Sequence, residues 1–223
     1  MMWEAQAKRS NLNAAVARPL VTKRVYLVCK RLIDVVLVLG GVAFFLPLIV
    51  ILALLVKLDG GPAFYVQPRI GRDGRVYRLW KLRSMVVDAD QKLHAYLAEH
   101  PAEKEEWDKH QKLRRDPRLT ALGLYLRRYS LDELPQLWNV LIGDMSLVGP
   151  RPMMPVQRLL YGGTAYYDLR PGLTGLWQIS ERNNCTFVER AMHDTRYSAM
   201  MSFGADLWIL SQTPMVVLKG TGV

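Results

Sequence analysis

The chain has 223 residues, half of them hydrophobic, and a formal net charge of +10 at pH 7. This length is enough for one domain with an appendage. The charge is uneven, because residues 1–31 hold seven Lys or Arg residues and a single Glu; such an arm predicts an anionic partner, either phospholipid or nucleic acid. Cys29 and Cys185 lie far apart and outside any Cys-x-x-Cys or Cys/His cluster, which favours reduced thiols over a disulfide or a zinc site.

An uncharged segment of 22 residues, 35–56, follows the basic arm. Its length and apolar purity predict a helix embedded in a membrane. A nucleic-acid-binding protein would explain the basic arm but not this segment, so that class is excluded. Basic residues flank the segment on both sides, against the positive-inside tendency of a straight span. Pro47 predicts a kink or break, and we therefore predict a re-entrant membrane segment over 32–58; a kinked spanning helix remains the alternative.

The remainder, 59–223, has the patterns of one compact catalytic domain. Asp73-Gly74 is the preferred chemistry of a tight turn and predicts a β-hairpin with strands near 64–71 and 75–81. The mixed charges of residues 87–118 indicate a solvent-exposed helical segment. Apolar stripes near 119–126 and 207–218 fit either core helices or amphipathic interfacial helices. The predicted fold is a small α/β domain of the helix-rich α+β type.

Two adjacent carboxylates, Asp132 and Glu133, stand among arginines and Gly/Pro residues. Arg side chains neutralise phosphate oxygens, and carboxylates hold a divalent cation or act as nucleophile or base, so this composition indicates a phosphate-handling site. The same spacing from Ser130 also matches a capping box, in which Glu133 would only reach back to the Ser130 amide. A helix could start at Ser130 or at Pro135, and either start places the carboxylates at or just before its N-terminus.

Six further segments stand in a fixed order along the chain. They are Lys30–Asp34, Lys81–Met85, Asp116–Arg118, Ser130–Leu141, Gly143–Pro152 and Arg170–Gly175. In this order they resemble the bacterial sugar transferases, the monotopic phosphoglycosyl transferases that begin exopolysaccharide and glycoconjugate assembly. The resemblance runs from about residue 24 to the C-terminus and is strongest with the short exopolysaccharide-type enzymes.

The resemblance implies transfer of sugar 1-phosphate from a UDP-sugar, galactose or glucose, to undecaprenyl phosphate with release of UMP. Asp132 would be the nucleophile that forms a covalent phosphosugar intermediate, and Glu133 would act beside it. Asp132 and Glu133 would hold Mg²⁺. The enzyme would lie at the bacterial inner membrane with its catalytic domain on the cytosolic face, without nucleic acid, and a homodimer is compatible with the family. An inactive membrane-associated scaffold of the same fold is the alternative.

The resemblance also implies a set of substrate-binding residues. They are Lys81, Arg83, Arg127, Asp144, Arg151, Gly172, Thr174, Gln178, Arg182, Asn183 and Asp194. Three features depart from the family pattern. Thr195-Arg196-Tyr197 stands where the family usually has an aromatic pair. Glu181 replaces the usual Gly, which bears on the local turn and the sugar preference, and Leu46 replaces the usual Ser before Pro47.

Overall fold

The computed structural model describes residues 20–110, 113, 116–180 and 187–220. The helices are α1 (Leu20–Lys57), α2 (Ala89–Glu99), α3 (Pro101–His110), α4 (Ala121–Arg128), α5 (Gln136–Ile142), α6 (Leu176–Ser180), α7 (Phe187–Met200) and α8 (Phe203–Leu218). The strands are β1 (Phe64–Ile70), β2 (Val76–Leu82), β3 (Ser146–Val148) and β4 (Gly172–Thr174). This composition confirms the predicted helix-rich α+β fold.

The chain forms two compact units. The first unit is built from the described residues within 20–40, 68–77 and 139–213, and the second from those within 41–67, 78–138 and 214–220. Helix α1 and the β1–β2 hairpin each contribute residues to both units.

Helix α1 is long and apolar. It has 38 residues, contains Pro47 and exposes large apolar side chains such as Val36 (66%) and Phe44 (69%). Within the described ranges it is the one helix that could cross a membrane by length and composition. The helix begins at Leu20, so residues 20–31 of the predicted arm are helical, and it continues through Pro47. The re-entrant course stays a prediction.

The predicted hairpin is confirmed. Strands β1 and β2 pair in a two-stranded sheet. Asp73 and Gly74 adopt positive φ angles of 58° and 74°, a conformation that Gly enters at little cost and that Asp tolerates better than most residues. The Gly71 amide donates to the Arg75 carbonyl at 2.6 Å and closes the turn.

A parallel pair of short strands organises the first unit. Strand β3 pairs with β4, with Ser146 opposite Gly172. The sequence did not predict this pair, because three-residue strands leave too few positions for an alternating pattern. A Cβ on Gly172 would lie 2.1 Å from the Gly149 nitrogen, and one on Gly175 would lie 2.1 Å from the Gly149 oxygen. Close backbone approach therefore requires glycine at these positions.

Each unit has its own apolar core. The core of the first unit draws residues from α1, β3, α6, α7 and α8, and its buried members are Tyr26, Val148, Leu169, Leu176, Tyr197, Met201 and Ile209. The core of the second unit contains Leu52, Val56, Leu82 and Leu126. Burial of such side chains is the main favourable term in folding.

The predicted solvent-exposed helical segment at 87–118 contains the two helices α2 and α3. The apolar stripes divide between core and surface. On α4, Leu126 is buried (1% exposed) and Tyr125 lies outside (60%). On α8, Ile209 is buried (0%) whereas Leu207 is 70% exposed. Core packing accounts for one face of each helix, and interfacial docking of the exposed residues stays a prediction.

Candidate active site

The Asp132–Glu133 pair lies on a single 3-10 turn, Leu131–Glu133, between α4 and α5. Ser130 precedes the turn in a left-handed conformation (φ 54°) and its side chain makes no capping hydrogen bond. An N-cap residue needs an extended backbone, so the capping box is not formed. Helix α5 begins at Gln136, directly after Pro135, as expected for a residue that is poorly tolerated farther inside a helix.

Lys81 connects the two carboxylates. This residue lies on β2, and its Nζ is 2.7 Å from Glu133 Oε1 and 3.5 Å from Asp132 Oδ2. Asp132 is buried, with 5% of the residue exposed, whereas the side chains of Lys81 and Glu133 keep 21% and 25% of their surface. The structure therefore brings together the two predicted catalytic residues and one predicted phosphate-binding cation.

Burial and the neighbouring charges shift the pKa of the Asp132 carboxyl in opposite directions. Burial raises the pKa of the Asp132 carboxyl above its ordinary value, and the charge of Glu133 adds to the rise. Lys81 and Arg127 act in the opposite direction. A carboxylate with a raised pKa is more basic, and the neighbouring cations keep the ionised form accessible. This combination suits a carboxylate that must attack an electrophile.

Arg127 and Arg83 differ in what their guanidinium groups contact. Arg127, at the end of α4, donates through Nε to Ser84 Oγ at 2.9 Å. Arg83 is 7% exposed and donates to the Pro62 carbonyl at 2.7 Å and to both carboxylate oxygens of Asp59. These bonds lower the pKa of Asp59. These contacts lie within the second unit, and the predicted role of Arg83 in substrate binding stays a prediction.

Asp132 and Glu133 were also predicted to hold Mg²⁺. Across the described residues, no cluster of three or more His, Cys, Asp or Glu side chains converges on a common point. Mg²⁺ is commonly bound by one or two carboxylates together with waters and substrate phosphates. The chemistry of this donor set fits a magnesium ion shared with a diphosphate.

Several other predicted residues lie in the first unit, where their contacts are structural. Gly172 pairs in β4, and Thr174 Oγ1 is 2.8 Å from Thr213 Oγ1. Gln178 Nε2 donates to the Leu173 carbonyl at 3.1 Å. The Asp144 carboxylate accepts from Asn139 Nδ2 at 3.2 Å. Their predicted contacts with substrate stay predictions.

Arg151 and Asp194 line one pocket of the first unit. The Arg151 guanidinium lies over the ring of Trp177, 4.5 Å from its centroid. Asp194 is 6% exposed and accepts from the Tyr161 hydroxyl at 2.9 Å. Burial raises the pKa of Asp194 to about 7. The predicted residues Arg182 and Asn183, with the departing Glu181, fall outside the described residues.

Sequence reasoning missed a buried acid on α8. Asp206 accepts from the hydroxyls of Tyr26 and Tyr197, both at 2.6 Å, and from Lys30 Nζ at 2.7 Å. A lone carboxylate in an otherwise apolar helix is the signal that could have identified it, because a buried charge requires partners. This cluster joins the first turns of α1 to α7 and α8.

Asp34 anchors α1 to the first unit. Its carboxylate accepts from the Ser146 hydroxyl at 2.7 Å and from the Leu147 amide at 3.2 Å. The nearby Lys30 pairs with Asp206. Arg31 donates to the Val140 and Leu141 carbonyls at the end of α5, a common use of Arg at a helix C-terminus.

The chain belongs to the bacterial sugar transferase family, whose sequence pattern matches residues 25–220. It is 45% identical over 195 residues to the UDP-galactose-lipid carrier transferase of Erwinia amylovora, an alignment covering 86% of this chain and 41% of that protein. It is 43% identical to the exopolysaccharide production protein ExoY of Rhizobium meliloti, covering 85% of this chain and 86% of that protein.

A third relative is the UDP-glucose:undecaprenyl-phosphate glucose-1-phosphate transferase of Caulobacter vibrioides, which is 39% identical, with 82% of this chain and 67% of that protein covered. The chain therefore spans less than half of the Erwinia protein and most of the Rhizobium protein. The predicted family is confirmed.

Proposed function

We propose that this protein is a phosphoglycosyl transferase that moves sugar 1-phosphate from a UDP-sugar to undecaprenyl phosphate and releases UMP. The observation that carries the proposal is the cluster in which Lys81 contacts both Asp132 and Glu133. The family membership and the names of the relatives support the same reaction. The donor sugar is galactose or glucose, the two sugars that these names contain.

The reaction proceeds in two displacements. In the first, an ionised oxygen of Asp132 attacks the phosphorus that bears the sugar, and the bond from that phosphorus to the bridging diphosphate oxygen breaks as UMP leaves. In the second, a phosphate oxygen of the lipid attacks the same phosphorus and Asp132 leaves as a carboxylate. Dividing the transfer in this way gives each step a positioned nucleophile. Lys81 and Arg127 offset the negative charge around the reacting phosphorus.

Asp132 and Glu133 are the residues that would hold Mg²⁺ in this site. The ion supplies charge neutralisation at the diphosphate when it is bound. Glu133 also holds Lys81 at 2.7 Å, and this contact fixes the ammonium beside the nucleophile before substrate arrives.

The acceptor places the enzyme at a membrane. Undecaprenyl phosphate is a lipid, and α1 is long and apolar enough to enter a bilayer. The exposed Leu207 and Trp208 on α8 are suited to the level of the lipid headgroups. We place the catalytic residues at the cytosolic face of the bacterial inner membrane, where a soluble UDP-sugar and a membrane lipid can both reach them.

The nucleophile is tested with the purified full-length chain, Mg²⁺ and UDP-galactose or UDP-glucose, without lipid acceptor. We expect stoichiometric release of UMP and a phosphosugar adduct on Asp132 in intact-mass and peptide mass spectra. Asp132→Asn removes the nucleophile and should lower turnover by about 10³-fold or more. Asp73→Asn, a matched change in the exposed hairpin turn, should leave turnover unchanged. Full turnover by Asp132→Asn, or an adduct on another residue, would refute the assignment.

A further inference from the structure

A pocket beside the N-terminal half of α1 gathers positive charge within the first unit. Its charged lining residues are Lys30, Arg31 and Asp34 of α1, Arg72 of the hairpin turn, and Asp168 and Arg170 of the segment before β4. Lys30 is paired with Asp206 at 2.7 Å. The three arginines outnumber the two carboxylates, so the pocket keeps a formal excess of one positive charge.

The Arg170 guanidinium is held by one contact and keeps two nitrogens available for a ligand. Its Nε donates to the Gly143 carbonyl at 2.9 Å. Among the residues that the structure describes, Nη1 and Nη2 of Arg170 have no hydrogen-bond partner. Neither nitrogen is fully buried, so both can be reached from solvent.

Arg31 and Arg72 stand close to this guanidinium. Arg31 is fixed by its bonds to the carbonyls at the end of α5. Arg72 forms an ion pair with Asp73 at 3.6 Å between two exposed side chains, a contact that contributes little. Burial and the charges of Arg31 and Arg72 lower the pKa of Arg170. The three cations therefore repel one another, and a bound anion would offset this repulsion.

The position of the pocket along α1 indicates the headgroup layer of a membrane. Arg31 precedes Val36 by five residues, or about 7.5 Å along the helix axis. Val36 is 66% exposed and lies at the start of the uncharged segment. The headgroup region on each side of a bilayer is about 5–8 Å thick. With the apolar segment in the hydrocarbon, the pocket lies at the depth of the lipid phosphates.

The charge of the pocket matches a phosphodiester. Guanidinium groups bind phosphate oxygens through parallel N–H donors. A phospholipid phosphate is a diester with one negative charge, which equals the formal excess of the pocket. A phosphate monoester, such as that of a polyprenyl phosphate, carries about −1.5 to −2 at pH 7 and exceeds it.

We propose that this pocket binds the phosphate group of an anionic phospholipid and thereby holds the N-terminal half of α1 at the membrane surface. Arg170 and Arg72 donate to the phosphate oxygens, and Arg31 adds its charge beside them. The proposal rests on the membrane location given under the proposed function and is independent of the transfer reaction.

The test uses the purified full-length chain in detergent, with lipid binding measured by native mass spectrometry. The probe is phosphatidylglycerol, and its matched control is the diacylglycerol with the same acyl chains and no phosphate. We expect one saturable site that prefers phosphatidylglycerol. Losing a charge-assisted hydrogen bond in Arg170→Gln should weaken this binding by roughly 10- to 100-fold. Arg75→Gln, an exposed arginine of the same hairpin that does not line the pocket, should bind as wild type.

Arg72→Gln is the second variant, because this exposed side chain can be replaced without loss of a buried contact. It should weaken phosphatidylglycerol binding by roughly two- to fivefold, as expected for a solvent-exposed charge. Wild-type affinity in both folded variants would overturn the proposal. Displacement of the lipid by an equal concentration of inorganic phosphate would also overturn it, because the pocket would then hold a free ion.

Undecaprenyl phosphate is the last probe. If the two variants lost affinity for it while their phosphatidylglycerol binding stayed unchanged, the pocket would belong to the acceptor and the proposal would be wrong. If phosphatidylglycerol binds through Arg170 but the protein releases UMP from no UDP-sugar, the pocket assignment stands and the proposed function fails.

Discussion

Asp132 is buried at a position where its charge depends on its neighbours, among which Lys81 has the largest effect. Five per cent of the residue is exposed, and burial raises the pKa of its carboxyl. Lys81 is 3.5 Å away and counters this effect. An opposite charge this close favours the ionised form of a carboxyl and lowers its pKa. Lys81 therefore governs how much of the nucleophile is ionised near neutral pH.

Replacing this cation should change the pH dependence of turnover. In Lys81→Met the pKa of Asp132 rises further, so a higher pH is needed to ionise the nucleophile. We expect the acidic limb of the kcat/KM profile to move to higher pH. The measurement is UMP release between pH 5 and 9.

The matched control for this prediction is Lys92→Met, at an exposed lysine on α2, which should keep the wild-type profile. A Lys81→Met profile with an unmoved acidic limb would show that Lys81 does not set the ionisation of Asp132. A uniform loss of rate without a shift would indicate that Lys81 acts on substrate phosphate alone.

Elements with strong local signals could be predicted from the sequence. The hairpin followed from Asp73-Gly74, because only a few residue types adopt positive φ at low cost. The α1 helix followed from its apolar length. Strands β3 and β4 could not be predicted, because their pairing joins segments distant in sequence and each strand has three residues. The capping box that the motif predicts from Ser130 is not formed in the structure. The backbone angle of Ser130 depends on its tertiary surroundings, which the motif does not contain.

The difference between local sequence signals and contacts made by tertiary folding also applies to the candidate active site. Asp132 and Glu133 could be found from their motif, and the structure adds Lys81 as their partner. Arg83 has a place in the family motif as well, but its bonds to Asp59 and the Pro62 carbonyl depend on tertiary folding. A motif therefore identifies candidate residues, whereas the contacts that each of them makes depend on the tertiary structure.

The close packing of β3 and β4 requires glycine at position 172, and this requirement can be tested by substitution. A Cβ on Gly172 would lie 2.1 Å from the Gly149 nitrogen and 2.3 Å from the Thr174 oxygen. Because these atoms are backbone, the strands would have to separate. Gly172→Ala should therefore lower the free energy of unfolding of the first unit by about 2 kcal/mol or more, measured by thermal or denaturant unfolding.

Gly162→Ala is the control for that measurement, because a Cβ on Gly162 would meet no atom within 4 Å. This substitution should change stability by about 0.5 kcal/mol or less. Equal stabilities of the two variants would contradict the close packing of β3 on β4.

At the scale of the whole molecule, α1 combines two kinds of environment. Its first turns carry Tyr26 and Lys30, which bind the buried Asp206, and Asp34, which binds Ser146. Removing one partner of a buried ion pair typically costs about 3–5 kcal/mol. The beginning of the helix is thereby fixed to the first unit by polar contacts, whereas residues such as Phe44 expose apolar surface. A polar anchor followed by an exposed apolar segment is the arrangement that membrane insertion of α1 requires.

At the scale of the whole protein, we predict that α1 enters and leaves the membrane on the same side. Basic residues flank the apolar segment on both sides, and Pro47 lies inside it. A re-entrant course satisfies the positive-inside tendency for both flanks. The test uses a protein in which Cys29 and Cys185 are replaced by alanine and a single new cysteine is introduced, either Ser10→Cys or Leu58→Cys. Both new cysteines should react with a membrane-impermeant maleimide in inside-out vesicles, where the reagent reaches the cytosolic face. Neither should react in intact spheroplasts. Labelling of residue 10 from the periplasmic side of intact spheroplasts, with residue 58 protected, would establish a spanning helix instead.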